Sequence, residues 1–387
     1  MKNIINTEKK PIKMWVDIIE DSALEQAKNL ANLPFIHKHV ALMPDAHQGY
    51  GMPIGGVIAT KGVVIPNAVG VDIGCGMCAV KTSIEDIDSA TLKKLMSLIR
   101  KKIPLGKNWH KQPQDSELMP KVDQLPTVVS RQYNRALYQL GTLGGGNHFI
   151  EIQYGSDNSI WIMIHSGSRN IGLKVANHYN ELAKKLNEKW YSEIPAKWDL
   201  AFLPIETPEA KEYMEEMNYC VEFALANRNL MMERIKECFR SVFGQKIEFD
   251  NPINIAHNYA CWEHHFNEDV LVHRKGATCA KEGTLGIIPG SQGTKSFITQ
   301  GLGNPDSFDS CSHGAGRVLG RKQAIRSLDL AQEIELLNKK GIIHSVRNQN
   351  DLDEAPSAYK NIEQVMANQT DLVKIKVALE PLAVIKG

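Results

Sequence analysis

The stretch SIWIMIHSGSRNIG, residues 159–172, places an apolar run, a histidine and a glycine in close succession. The run before His165 is short and rich in isoleucine, which is typical of a buried strand. Gly167, two residues further on, indicates a loop. We therefore predict a strand that ends at a polar side chain, and this succession recurs along the chain.

Six other segments have the same strand-like character. They are HVALM (39–43), GGVIAT (55–60), PINIA (252–256), VLVHR (270–274), LGIIP (285–289) and the tail DLVKIKVALEPLAVIKG (371–387), which offers one or two strands. Between them, strong helix formers predict a helix capped by Asp21 or Ser22 and running through Leu30. A second helical region, one long or two abutting helices, is predicted over 208–243, with its Met and Phe stripe in the core.

No internal repeat or low-complexity linker divides the chain. We predict one α+β domain over residues 1–387, with a helical insertion over about 175–245. The 43% hydrophobic and 23% charged content fits a globular protein, and the net charge of +1 announces no nucleic-acid partner. Seven irregularly spaced cysteines, no membrane-length apolar run and no signal-peptide pattern predict reduced thiols, no membrane association and a cytoplasmic location.

Four loops carry candidate metal ligands, and three of them also carry neighbouring glycines. The ligands are Asp72 and Cys75 in GVDIGCGM (70–77), His148 in LGTLGGGNHFIEI (140–152), His165, and His257 in INIAHNYA (253–260). Three imidazoles, a thiolate and a carboxylate suit Zn²⁺ or Mn²⁺. Because five ligands exceed one tetrahedral site, two ions sharing Cys75 are plausible. Any one of these residues alone is more often structural, and only the recurrence favours ligands.

Nine histidines lack this setting and are interpreted as surface or structural residues. They are His37, His39, His47, His110, His178, His264, His265, His273 and His344, of which His47 in PDAHQGYG is the least certain.

Several common catalytic motifs are missing. The chain has no phosphate loop of the G-x-x-x-x-G-K-[ST] type, no H-E-x-x-H, no G-x-S-x-G and no lysine nucleophile in a K-x-D-G motif. Cys75 and Cys78 form one C-x-x-C without the second pair of a zinc finger. If a nucleotide is handled, another nucleophile must act on it.

His313 is the candidate for that nucleophile. In DSCSHGAGRV (309–318) it is followed only by small residues before Arg317, and Arg321 lies four residues further on. An imidazole can attack phosphorus while arginines stabilise phosphate oxygens. From these residues alone, a structural role, a further metal ligand and a nucleophile all remain open. The preceding stretch LGIIPGSQGTKSFITQGLGN (285–304) offers amides and hydroxyls for an anion, or is only a glycine-rich turn.

The chain resembles the RtcB family of RNA-splicing ligases, which are GTP- and Mn²⁺-dependent RNA ligases. The resemblance rests on MPDAHQGYGMPIGGVIAT, GVDIGCGM, LGGGNHFIE, HSGSRNIG, HNYA, HRKGAT, IPGSQGTKSF, SCSHGAGR, DEAPSAYK and the terminal KG, in family order from Met43 to Gly387. It implies stacked mixed β-sheets flanked by helices. It also implies an enzyme that joins an RNA 3′-phosphate or 2′,3′-cyclic phosphate to a 5′-hydroxyl, in RNA repair or tRNA splicing.

The resemblance also implies residue roles. His313 would hold GMP through a phosphoramidate, and Asp72, Cys75, His148, His165 and His257 would bind two Mn²⁺ ions with Cys75 bridging. The GTP contacts would be Asn147, Glu151, Asn258, Pro289, Gly290, Ser291, Gln292, Ser296, Gly314, Ala315, Gly316, Tyr359 and Lys386.

Arg169, Arg317 and Arg321 are the candidates for holding RNA phosphates. Gly320 stands where the family pattern usually has a serine, which affects the RNA end and not the metal ligands. An archease-type activator is a possible partner. Two other interpretations remain: a guanylyl transferase that caps 3′-phosphate ends without efficient joining, and an RNA-binding protein that is stabilised by metal and has no catalytic activity.

Overall fold

The computed structural model describes all 387 residues. The strands are β1 Asn3–Ile5, β2 Ile12–Met14, β3 Ile36–His47, β4 Ile54–Thr60, β5 Val63–Val64, β6 Gly76–Lys81, β7 Phe149–Gly155, β8 Ile160–Ser166, β9 Leu203–Pro204, β10 Ile253–Ala256, β11 Asn258–His265, β12 Glu268–Lys275, β13 Ala277–Cys279, β14 Leu285–Ile288, β15 Ser296–Gly301, β16 Ser310–Ser312 and β17 Val373–Lys386. The helices are α1 Asp21–Ala31, α2 Pro66–Val69, α3 Ser89–Lys102, α4 Thr127–Gln139, α5 Arg169–Lys189, α6 Pro208–Phe243, α7 Arg321–Ser327, α8 Leu330–Lys339 and α9 Ile362–Ala367.

Two large sheets carry most of the strands. The first has the order β1-β2-β3-β4-β12-β11 and contains one parallel pair, β2 with β3. The second has the order β10-β6-β8-β7-β17-β15-β14 and is antiparallel throughout. The α+β class and the sheets flanked by helices are therefore confirmed, although only the first sheet is mixed.

Both faces of the second sheet are covered, which explains its continuous apolar runs. In β8, Ile162 and Ile164 pack with residues of α3 and α6. Met163, which alternates with them, packs on the other side with Leu337 of α8 and with Leu352. Side chains of a strand alternate between faces, so a strand buried on both sides is apolar at every position. SIWIMI has this pattern.

His257 is the single residue between β10 of the second sheet and β11 of the first. Its amide donates to the carbonyl of Cys75 at 2.8 Å, and its carbonyl accepts from Ala277 at 3.2 Å. The crossover between the sheets is thereby tied to the loop that precedes β6. This places a candidate metal ligand where the two sheets meet.

The helical predictions are confirmed in extent, with one error at a cap. Residues 208–243 form the single helix α6, which Thr207 caps through the amide of Ala210, and its buried stripe includes Met217 and Phe223. Helix α1 spans the expected residues, but Asp21 lies inside it. Glu20 occupies the N-cap position, and its side chain accepts no hydrogen bond from the amides of the helix. Glu20 instead accepts from the amide of Gln48 at 2.5 Å, so a tertiary contact replaces the local cap.

None of the helices is long and apolar enough to cross a membrane. All seven cysteines are free thiols, as their irregular spacing predicts.

Candidate active site

The five candidate metal ligands lie together in the interior. They form two groups with one shared member: the first ligand group is Cys75, His165 and His257, and the second ligand group is Asp72, Cys75 and His148. In each group the ligand atoms lie within 4.8 Å of one another. The Sγ atom of Cys75 is 3.3 Å from Nε2 of His165 and 3.5 Å from Nε2 of His148. This arrangement can hold two cations that share a thiolate.

Backbone carbonyls orient two of the imidazoles. Nδ1 of His148 donates to the carbonyl of Leu143 at 2.9 Å, and Nδ1 of His165 donates to that of Asn147 at 3.0 Å. Because Nδ1 carries the proton, Nε2 keeps a lone pair directed at the ligand groups. Nδ1 of His257 is buried without a hydrogen-bond partner, which leaves it available to a cation. The donors present therefore fit a divalent transition metal.

The protonation states also fit. Burial alone would raise the pKa of Asp72, but its polar neighbours His148, Cys75 and Arg169 outweigh it and lower that pKa to about 2. Burial lowers the pKa values of His165 and His257 well below the usual range, so both rings are neutral. Burial raises the pKa of the Cys75 thiol well above its usual range. Asp72, His165 and His257 are thus ready to bind at neutral pH, whereas the thiol of Cys75 has to release its proton.

His313 lies next to the first ligand group and is held by a carboxylate. Its ring centroid is 4.7 Å from that of His257. Its Nδ1–H donates to Oδ2 of Asp45 at 2.7 Å, and its amide donates to the same oxygen at 3.1 Å. Asp45 is fully buried. This contact places a proton on Nδ1, so in the neutral ring the lone pair that a nucleophile needs is on Nε2.

A cavity of about 160 Å³ opens beside His313. Its walls are formed by His47, Ile54, Asn147, Phe149, Glu151, His165, Pro289, Gly290, Ser291, Gln292, His313, Gly314, Ala315, Gly316, Arg317, Arg321, Glu354, Tyr359 and Lys386. Eleven of the thirteen residues expected to contact GTP are in this set. His47, which was interpreted as a surface or structural residue, also lines the cavity.

The two expected GTP contacts that do not line the cavity, Ser296 and Asn258, stabilise loops of the site. Oγ of Ser296 accepts from the amide of Gly290 at 3.2 Å, in the loop 289–292. Asn258 donates to the carbonyl of Asp72 at 3.0 Å and accepts from the amide of Gly276 at 2.7 Å. Both side chains are already engaged in holding loops of the site.

Glu354 contacts several polar residues of the cavity wall and was not predicted as a site residue from the sequence. Its carboxylate is 3.0 Å from Nη1 of Arg317 and 2.7 Å from Nε of Arg321, and it accepts from the hydroxyl of Tyr359. The guanidinium of Arg317 also lies 5.0 Å from the Tyr359 ring centroid. Burial would raise the pKa of Glu354, but Lys386 and the arginines hold it below its usual range. Glu354 is therefore an anion with two guanidinium partners.

Arg169 is placed apart from the other two arginines. It is not in the cavity wall but beside the second ligand group, where its Nη1 is 3.3 Å from Nδ1 of His148. Its Nε donates to Oγ1 of Thr142 at 3.3 Å. Its backbone has a φ of 61°, a conformation that favours glycine, so this position is under local strain.

Glu151 and Lys386 also line the cavity, and each affects the charge of the other. Burial raises the pKa of Glu151 to about 8, and it lowers that of Lys386. The carboxyl group of Glu151 is therefore mostly protonated at neutral pH.

Asp45 and Glu354 were not among the residues predicted from the sequence, and the two cases differ. Asp45 follows HVALM and Pro44 and therefore fits the rule of a polar residue after an apolar run, which would have identified it. Glu354 lies in a 3₁₀ turn, Gln349–Glu354, among other acidic residues, and nothing local distinguishes it.

Fold and site together define an α+β protein with a buried Cys/His/Asp cluster able to hold divalent cations, next to a carboxylate-bound histidine in a polar cavity. The chain belongs to the tRNA-splicing ligase RtcB family, whose model matches residues 26–125 and 119–387.

Relatives in this family cover nearly all of the chain. The RNA-splicing ligase RtcB of Escherichia coli is 39% identical over 99% of both chains. The tRNA-splicing ligase RtcB of Methanococcus maripaludis is 34% identical over 95% of this chain and 92% of its own. That of Pyrobaculum aerophilum is 32% identical over 98% and 95%. The family resemblance seen in the sequence is thereby confirmed.

Proposed function

We propose that this protein is a GTP-dependent RNA ligase that joins a 3′-phosphate or 2′,3′-cyclic phosphate end to a 5′-hydroxyl end, with His313 as the nucleophile. The observation that supports the proposal is the position of His313, which contacts Asp45 through Nδ1, packs against His257 of the first ligand group and lines the cavity. The names of the relatives, RNA-splicing and tRNA-splicing ligases, support RNA as the substrate and a role in RNA repair or tRNA splicing.

In the first step, Nε2 of His313 attacks the α-phosphorus of GTP, and pyrophosphate leaves. The new N–P bond makes the imidazole cationic while Nδ1 keeps its proton, and the Asp45 carboxylate at 2.7 Å stabilises that charge. Gly314, Ala315 and Gly316 leave room for the in-line geometry that phosphoryl transfer requires.

In the second step, an oxygen of the RNA 3′-phosphate attacks the same phosphorus, and the His313 nitrogen leaves. In the third step, the 5′-hydroxyl attacks the RNA phosphorus, loses its proton and displaces GMP. A 2′,3′-cyclic phosphate end has to be opened by water to a 3′-phosphate first. Each step exchanges one bond to phosphorus for another, so no oxidant or reductant is needed.

The two ligand groups would hold two Mn²⁺ ions bridged by the thiolate of Cys75. Such ions neutralise phosphate oxygens and so make the phosphorus a better electrophile. The mixed nitrogen, sulfur and oxygen donors suit Mn²⁺ better than Ca²⁺ or Mg²⁺.

The guanine would lie towards Tyr359, Glu151 and Lys386. The ring of Tyr359 can cover the face of a base, and the Glu151 carboxyl group has an oxygen that can accept from a guanine N–H group. The amides and hydroxyls of the loop 289–292 offer contacts to the ribose or the phosphates.

The test is the covalent adduct. Incubated with GTP labelled at the α-phosphate and Mn²⁺, the protein should retain label that is stable to alkali and labile to acid, as a phosphoramidate is. His313→Ala should retain none, whereas His264→Ala, which removes an exposed histidine on β11, should behave like the wild type. A wild-type protein that acquires no label under these conditions would rule out nucleotidyl transfer through histidine.

A second candidate function has one observation in its favour. Arg317 and Arg321 are both paired with Glu354, so neither is free to hold an RNA phosphate in this structure. An enzyme that grips the RNA weakly would stop after the second step and release a 3′-end capped with GMP.

Gly320 makes this alternative testable. It occupies the cap position of α7 with a φ of −62°, and a Cβ atom there would meet nothing within 4 Å. Gly320→Ser therefore fits without strain. With a 5′-hydroxyl partner present, accumulation of capped ends by the wild type and joining by Gly320→Ser would favour the capping enzyme. Efficient joining by the wild type would exclude it.

A further inference from the structure

Two consecutive residues in the middle of α6, Asn227 and Arg228, are polar and have no exposed surface. Neighbours in a helix point about 100° apart, so the two side chains reach different parts of the protein. The rest of the buried stripe on α6, such as Phe223 and Met231, is apolar and packs in the core. The side chains of Asn227 and Arg228 instead form hydrogen bonds with the segments that carry the candidate ligands.

Arg228 contacts the segments of the first ligand group. Its Nη1 donates to the carbonyls of Gly74 and Ser166, both at 2.9 Å, and its Nε donates to Oδ1 of Asn254 at 2.7 Å. Gly74 precedes Cys75, Ser166 follows His165, and Asn254 lies in β10, the strand that ends one residue before His257. The guanidinium of Arg228 thus links the three segments that carry Cys75, His165 and His257.

Asn227 contacts the segments of the second ligand group. Its Oδ1 accepts from the amides of Gly141 and Thr142 at 2.7 and 3.1 Å, at the start of the loop that leads to His148. Its Nδ2 donates to Oγ of Ser166 at 3.1 Å and to the carbonyl of Gly167 at 3.2 Å.

Two further contacts relay Asn227 to the ligands themselves. Oγ of Ser166 donates to the carbonyl of Leu143 at 2.7 Å, and this same carbonyl accepts from Nδ1 of His148. Gly167 lies directly against Asp72, since a Cβ atom at residue 167 would be 2.4 Å from Oδ1 of Asp72.

Packing alone does not account for this pair. An apolar residue would fill the same space without the cost of burying a guanidinium, and Nη2 of Arg228 remains without a hydrogen-bond partner. The hydrogen bonds instead fix four segments that are distant in sequence and carry all five candidate ligands. Residues that orient ligands from behind typically change metal affinity about 10- to 100-fold when they are removed.

We propose that Arg228 and Asn227 are positioning residues that set the two cation positions separately, Arg228 for the first ligand group and Asn227 for the second. The proposal rests on the metal site of the proposed function. Helix α6 would then hold both ligand groups in place in addition to packing in the core.

The experiment measures each cation position alone. His148→Ala leaves only the first ligand group intact, and His257→Ala leaves only the second. Into each background we would introduce Arg228→Met or Asn227→Ala, and Mn²⁺ affinity would be measured by calorimetry. Arg228→Met should weaken binding at least tenfold in the His148→Ala background and by clearly less in the His257→Ala background, and Asn227→Ala should do the reverse.

Two additions guard against a general loss of structure. Arg228→Lys and Asn227→Ser are milder variants for use if the others do not fold, and they should show the same selectivity. Co²⁺ absorption gives a spectroscopic readout, because the thiolate charge-transfer and ligand-field bands report the geometry around Cys75. Phe239→Leu is the matched control, since Phe239 is a fully buried residue of α6 that packs in the core.

The outcomes separate the two levels of the argument. If Phe239→Leu weakens binding as much as Arg228→Met, or if either variant weakens both positions equally, the separate positioning roles are refuted. If the wild-type protein binds neither Mn²⁺ nor Co²⁺, the metal site of the proposed function fails, and this inference fails with it.

Discussion

At the scale of single residues, Asp45 determines which nitrogen of His313 carries the proton in the neutral ring. Its Oδ2 accepts from Nδ1 and from the amides of His313 and Gly314. The lone pair on Nε2 is therefore a consequence of one buried carboxylate.

Asp45→Asn should slow formation of the GMP adduct by about 10²- to 10⁴-fold, because a neutral amide cannot stabilise the cationic imidazole and permits the wrong tautomer. Single-turnover labelling with GTP measures the rate. Asp371→Asn is the control, since that carboxylate accepts from Trp15 instead of a residue of the site. An unchanged rate in Asp45→Asn would show that this carboxylate has no part in the nucleotidyl transfer.

Residue types alone identified the five candidate metal ligands, which the structure brings together, because their loops repeat one pattern, and they left the role of His313 open. The same local information could not reveal Glu354 or Arg228. Their roles come from partners that are distant in sequence, such as Arg317 for Glu354 and Gly74 for Arg228. No spacing rule connects such residues.

At the scale of elements, the hairpin of β11 and β12 contains a buried ion pair away from the active site. Arg274 is fully buried, and its Nη1 and Nη2 lie 2.5 and 3.1 Å from the carboxylate oxygens of Glu263. Nη2 also donates to the carbonyl of Phe308 at 2.8 Å, which ties the hairpin to the segment before β16.

Glu263→Gln should lower the free energy of unfolding by about 3–5 kcal/mol, because it leaves the Arg274 charge unpaired in the interior. Burial would raise the pKa of Glu263, but hydrogen bonds from His265 and Arg274 hold it well below the usual value of 4.5. The contribution of Glu263 to stability is therefore complete above about pH 4.5 and is lost as the pH falls further.

Urea unfolding at pH 7 and at pH 3 measures both effects. The difference between wild type and Glu263→Gln should shrink at the lower pH. Glu268→Gln, at an exposed position on β12, should cost little at either pH. A difference that grows towards low pH would contradict the assignment of charge to Glu263.

Apolar runs and glycines were sufficient to predict most strands and the extent of α6. Strand order was not predictable, because neighbours in the second sheet are far apart in sequence: β6 pairs with β10, and β7 with β17. The cap of α1 was wrong for a related reason, since Glu20 bonds to the distant residue Gln48. Local signals determine elements, and long-range contacts determine their ends and partners.

At the scale of the whole molecule, cation binding and folding should be coupled. The five candidate ligands come from four segments between residues 72 and 257, so unfolding separates them. A ligand that binds only the folded protein stabilises it by about 2.7 kcal/mol at a concentration 100 times its dissociation constant.

Mn²⁺ added to chelator-treated protein should therefore raise the melting temperature by several degrees. Cys75→Ala, which removes the shared ligand, should abolish most of this shift, and His264→Ala should retain it. Differential scanning fluorimetry over a range of Mn²⁺ concentrations measures the effect. An equal shift in the wild type and in Cys75→Ala would mean that Mn²⁺ stabilises the protein from another site.

Strand β17 lies in the interior of the second sheet, between β7 and β15, although it follows every other strand of that sheet in the sequence. During synthesis, β7 and β15 therefore leave the ribosome before the strand that joins them exists. Strands β7 and β15 can be joined through β17 only after residue 386 has emerged. Lys386, at the end of β17, is one of the residues that line the cavity. A nascent chain that stops short of β17 would lack a closed cavity, so translation of this strand is the step that allows the enzyme to form.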